Sequence, residues 1–293
     1  MERNGDEFIS LVTLLDDRDT VVRECVRKRL SSYGSSVVER LRQMRSDKTL
    51  GVDSAIIDGV ADSLNADFCL SEFKALTDKC RGGLPLFEAS CIISSLFDRE
   101  FDRAHYESRY LDASAEYAAE ASDQRTAVEN IRIFNHIFFR RLGFKVFDVE
   151  MREPDYSVLS RVMKTREGNP FAIAFLYYMI AQVAGMPLRI LCFPGGFVPV
   201  YIENGEELFY INVYRNGEIF HKQRLQEFIS ALGLQIDPSL FRVKDEKALM
   251  SIYLESLLFV FSSKGPDALT RVVENILELL GPERYLSVDE DSL

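Results

Sequence analysis

The sequence is poor in the residues that build disulfide frameworks, metal centres and membrane spans. Its five cysteines, at positions 25, 69, 80, 91 and 192, form an odd set without a Cys-x-x-Cys pair. That argues against a disulfide framework and a structural zinc site, and for reduced thiols in a cytoplasmic protein. Three scattered histidines, His105, His136 and His221, supply no ligand-spaced set for a metal ion. The longest apolar run, Phe171 to Ala181, is about half of the roughly twenty residues a bilayer requires, so no membrane association is expected. The opening MERNGDEF has no apolar run after a basic start, and no secretory leader is expected. No dinucleotide fingerprint and no Gly-rich loop ending in Gly-Lys-Ser/Thr occurs, and no cofactor is expected. Positive charge is in deficit, 35 basic against 46 acidic residues for a net charge of -11, which disfavours nucleic acid as a partner. The basic clusters RECVRKRL and RRLGFK carry no interleaved stacking aromatics and read as solvated helix faces.

What the chain has is core-forming material. Of its 293 residues 47% are hydrophobic and 28% charged, the balance of a globular protein long enough for two subdomains. From Phe8 to Met44 apolar residues recur at helical spacing, with Asp19 placed to cap a second helix and Ser35 or Ser36 a third. Helical patterning continues to Cys80 and breaks at RGGLP, Arg81 to Pro85. Further helices are expected over 89–97, 106–119 and 124–142. The segment GNPFAIAFLYYMIAQVAG, Gly168 to Gly185, predicts a helix capped by Asn169, started by Pro170, ended at Gly185 and buried nearly all round. Strand patterns follow at 189–193, 197–202 and 207–213, with ENGE as a hairpin turn between the last two and RNGE as one more turn. Helices resume near Lys222 and run to an acidic tail. A buried helix feeding a small antiparallel sheet, with helices on either side, is an α+β layout.

Three ordered segments then carry a resemblance. Arg166 to Ile173 reads REGNPFAI, Pro194 to Phe197 reads PGGF, and Asn212 to Gly217 reads NVYRNG. Together they resemble the transglutaminase-like superfamily, and within it the bacterial SirB-type subgroup, in which a helical tail follows the core. LLDDRDTVVRECVRKRL, near the N-terminus, resembles a HEAT repeat. The resemblance implies a HEAT-like helical segment over 1–82, a papain/transglutaminase-like core over 83–235 and a helical tail over 236–293. It also implies where an active site would lie, since enzymes of the superfamily use a Cys-His-Asp arrangement. The nucleophile position falls on Ala172, the imidazole position on Gly196 and the carboxylate position on Asn212. An alanine methyl cannot attack an acyl group, and glycine cannot accept its proton. The chain is therefore expected to be a pseudoenzyme without catalytic residues.

Two readings remain open at this point. In the first, the chain binds a protein partner through its helical flanks, or a small ligand in the degenerate cleft around Asn169, Phe171, Ala172, Gly196 and Asn212. The helix N-terminus at Asn169 would there attract a small anion. In the second, a relocated thiol site pairs Cys91 or Cys192 with His136 or His221. Against it, Cys91 and Cys192 sit in apolar runs that raise a thiol pKa, and His136, set among aromatics in IFNHIFF, reads as a hydrogen-bonded core residue.

Overall fold

The computed structural model describes residues 2–80, 83–122, 124–147, 153–231, 233, 241–261, 268–283 and 285–286. The chain divides into two compact units, Met1–Ala75 and Leu76–Leu293.

The first unit is helical. Helices α1 (Glu2–Thr13), α2 (Thr20–Ser31), α3 (Ser36–Met44) and the larger part of α4 (Ser54–Lys79) bury Phe8, Val12, Leu30, Val37, Leu41, Ile57 and Leu64 in one cluster. Most of the periodic apolar positions of 8–44 thus form a shared core, while Val21 and Cys25 of α2 are exposed. Asp19 caps α2, its carboxylate accepting the Val21 N–H at 2.8 Å. Ser35 precedes α3 without a side-chain cap.

The second unit is α+β. Its helices are α5 (Leu86–Phe97), α6 (Arg103–Ala118), α7 (Ala127–Asn135), α8 (Leu159–Thr165), α9 (Pro170–Val183), α10 (Leu225–Ala231), α11 (Glu246–Phe261) and α12 (Ala268–Leu280). Two short strands, β1 (Lys145–Val146) and β2 (Glu167–Gly168), pair in parallel. The main sheet has five antiparallel strands, β3 (Leu188–Phe193), β4 (Gly196–Glu203), β5 (Glu206–Asn212), β6 (Glu218–Phe220) and β7 (Arg242–Lys244), in the order β6-β5-β4-β3-β7.

Helix α9 is buried along Phe171 to Ala181. Its two adjacent tyrosines diverge: Tyr177 donates to Asn135 Oδ1 at 2.7 Å, whereas Tyr178 reaches Glu246 Oε1 at 3.3 Å and the Leu188 carbonyl at 3.4 Å. Both hydroxyls are thereby satisfied inside the core, as a buried tyrosine requires. Helix α11 belongs to the same unit, and its Tyr253 ring lies 5.0 Å from that of Phe175 on α9. The long helix expected over 124–142 is instead α7 followed by a π-helical turn, His136–Arg141.

Candidate functional site

The start of α9 is built from a glycine and a cap. A Cβ on Gly168 would lie 2.6 Å from Val162 and 3.2 Å from Ile173, so only glycine allows α8 and α9 to close around β2. Arg166, just before it, adopts a left-handed conformation with φ 68° and lays its guanidinium 4.5 Å from the centre of the Phe144 ring. Asn169 then caps α9: its Oδ1 accepts the Ala172 N–H at 2.8 Å and its carbonyl the Ile173 N–H at 3.0 Å. The other end of the same amide donates to Ser157 Oγ at 3.0 Å, and the Ser157 carbonyl accepts the Tyr253 hydroxyl at 3.0 Å. Asn169 is 3% exposed and Ala172 fully buried.

This cap consumes most of what an anion would need. Pro170 has no N–H, and those of Ala172 and Ile173 are used, which leaves Phe171 as the one first-turn donor outside the cap. The side-chain amide of Asn169 is occupied at both ends.

The β3–β4 connection is a two-residue hairpin of Pro194 and Gly195, with Phe193 paired to Gly196. Gly195 has φ 92°, the left-handed conformation that the second position of a type II turn demands after proline. Its N–H donates to the Tyr285 carbonyl at 2.6 Å. Gly196 is buried, and a Cβ there would meet the Phe193 ring at 3.3 Å.

Register decides what the two strand positions face. Phe193 clusters with Leu191, Val198, Val200, Tyr210 and Phe220 of the sheet and with Leu225 and Ile229 of α10. Gly196 shares the face of Phe193, its cross-strand partner, and Asn212 lies two residues beyond Tyr210, hence also on this face. The described members of the cluster come from the sheet and α10, and none from α9. Gly196 and Asn212 thus share the face covered by α10, while among the described members of that cluster none comes from α9, which holds the buried Ala172.

The cysteines and histidines are not arranged as nucleophile and base. Cys91 and Cys192 are buried, and burial pushes both thiols up to about 12. The charges acting on Cys91 belong to Arg103, Glu88 and Glu107, and those on Cys192 to Lys244, Glu283 and Asp245. His105, His136 and His221 are all exposed. The core position expected for His136 is therefore corrected. The wider π turn begins there, burying Ile137, Phe138 and Phe139 and leaving the imidazole outside. Among the described residues no group of three or more His, Cys, Asp or Glu is placed to hold a metal ion, and no helix is long and apolar enough to cross a membrane.

One polar link escaped sequence reasoning. Asn135 accepts from Tyr177 and donates from Nδ2 to the Gly217 carbonyl at 2.7 Å, tying α7, α9 and the turn before β6. The order of the motifs, RNGE after the third strand, was its only trace.

Comparison with known proteins matches residues 105–254, just over half of the chain, to the family described as Transglutaminase-like superfamily. A UPF0162 protein of Xylella fastidiosa strain 9a5c is 24% identical over 53% of this chain and 63% of its own length. A second, from strain Temecula1, is 27% identical over 35% of this chain and 39% of its own. F-box only protein 21 of Mus musculus is 21% identical over 54% of this chain and 25% of its own length. The chain thus spans less than two thirds of each of these curated relatives. No solved structure matches it. On the family match and on a helix-rich unit with a small antiparallel sheet, the chain belongs to the transglutaminase-like superfamily.

Proposed function

We propose that the chain is a noncatalytic member of its superfamily that acts in the cytoplasm by binding a protein partner or a small ligand. The observation that carries the reading is the identity of the residues at the three matching positions. Ala172 offers no nucleophile, Gly196 no imidazole, and Asn212, which could orient an imidazole, has none beside it in the motif. Ala172 is fully buried and Gly196 is buried against the Phe193 ring, which supports the reading that neither position serves a substrate. Loss of a nucleophile and a general base together removes several orders of magnitude in rate.

The alternative, a relocated thiol site of Cys91 or Cys192 with His136 or His221, is disfavoured by the buried, high-pKa thiols and the exposed histidines. The three motifs and the helices around the sheet support kinship with the SirB-type subgroup, and the periodic helices of the N-terminal unit a HEAT-like character. Trapping an acyl intermediate tests the reading. After incubation with an activated ester and an acid quench, peptide mapping should show no acyl-thioester on Cys91 or Cys192. An acyl-thioester that forms on the native chain and not on the denatured chain would overturn it.

A further inference from the structure

Below the end of β5, on the face covered by α10, lies a pocket of about 260 Å³ lined by Asn212, Tyr214, Phe220 and Phe228. Phe220 and Phe228 stack with centroids 4.8 Å apart and 25° between their planes, and Tyr214 stands 6.5 Å from Phe228. They give the pocket aromatic walls. Its mouth carries two arginines and two glutamates that pair with one another, Arg215 with Glu218 at 3.8 Å and Arg224 with Glu227 at 3.4 Å. These exposed pairs cancel in charge and bind weakly, so the pocket itself has no strong preference of sign.

The informative group is Asn212, which is 9% exposed. Its Oδ1 accepts the Arg215 N–H at 3.2 Å, and this bond fixes which end of the amide is which. The Nδ2 end has no hydrogen-bond partner among the described residues, and it is not among the sealed, unpaired polar atoms. Asn212 lines the aromatic pocket and its Nδ2 keeps solvent contact, so this donor is available to a molecule held there, in the way the few polar groups of a ligand site fix orientation. The volume is below that of drug-sized sites and suits one substituted ring.

We propose that this pocket binds a small planar molecule carrying a carbonyl-type acceptor, an aryl carboxamide or aryl carboxylate, with its oxygen on Asn212 Nδ2 and its ring among Tyr214, Phe220 and Phe228. The inference rests on the binding reading above and places the ligand beside Asn212, away from the occupied cap at Asn169. A carboxylate would also draw on Arg215 and Arg224 by displacing their exposed glutamates; a carboxamide would not.

Titration of the isotope-labelled full chain with benzamide and benzoate, followed by amide NMR, tests it. Benzylamine is the control of equal size. Saturable shifts of the Asn212 side-chain amide are expected, with a Kd of about 1 mM or tighter. The variant Asn212→Asp keeps an oxygen for the Arg215 N–H and removes the donor; it should weaken benzamide by about tenfold or more while leaving the spectrum folded. Stronger binding of benzoate would assign the carboxylate, and stronger binding of benzamide the neutral amide. Absence of saturation by both, equal binding by Asn212→Asp, or saturation by benzylamine alone would overturn the assignment. Each of those results leaves the noncatalytic reading to the acyl-trapping experiment, and an acyl-thioester there would not alter the titration.

Discussion

If Cys91 and Cys192 are structural, each should react with an alkylating reagent far more slowly than Cys25, which is exposed. At pH 7.5 a thiol with the ordinary pKa of about 8.5 is roughly one tenth thiolate. A thiol held at about 12 is thiolate in only about 3 parts in 100,000, a deficit of roughly three thousand-fold. The more basic thiolate is intrinsically the better nucleophile, and this returns about thirty-fold, leaving a hundred-fold from ionisation alone. Reagent also reaches the thiol through an opening, in which burial and the raised pKa are lost together; an opening that costs about 3 kcal/mol slows this route by a factor of over a hundred. By either route the two thiols should thus label about two orders of magnitude more slowly than Cys25. Iodoacetamide pulse labelling with peptide mass spectrometry reads all five cysteines at once, and a denatured sample gives the unprotected rates. Labelling of either buried thiol within tenfold of Cys25 would refute the reasoning.

Other perturbations follow from the same geometry. Gly217→Ala puts a Cβ into the Asn135 carboxamide at a backbone with φ 77°. Left-handed strain and two disrupted hydrogen bonds should cost about 3–5 kcal/mol in urea unfolding, and a loss under about 1 kcal/mol would show that Asn135 is not a tie. Tyr253→Phe removes the acceptor of the Leu159 N–H and the donor to the Ser157 carbonyl. It should lower stability by about 1–3 kcal/mol, and an unchanged midpoint would contradict the link from α11 to the start of α9. Gly196→His should crowd Phe193 and cost about 1–3 kcal/mol while restoring no hydrolysis, because Ala172 still lacks a nucleophile; turnover from that single change would overturn the assignment of the positions.

Much of the fold was legible because its signals are local. Asn169, Pro170 and Gly185 bracket α9 as a cap, a first-turn proline and a left-handed stop with φ 74°. Asn204-Gly205, with φ 52° and 84°, makes the expected β4–β5 turn. The short strands were not legible. β1, β2, β6 and β7 have two or three residues each, too few for a period to show, and β7 pairs with β3 from far along the chain. The direction of Gly196 and Asn212 was also beyond the sequence. A motif gives the order of residues, but only the pairing register says which face of a sheet each one takes. His136 misled because alternation with aromatics resembles core patterning, and the π turn moves it outward.

The most direct test is hydrolysis itself. Release of product from a panel of esters and amides is measured with the native chain, with Cys91→Ala and with Cys192→Ala, each first shown to be folded. The noncatalytic account predicts the same rate for all three, equal to that of buffer containing an unrelated acidic protein. Saturable turnover by the native chain that disappears in either cysteine variant would contradict it.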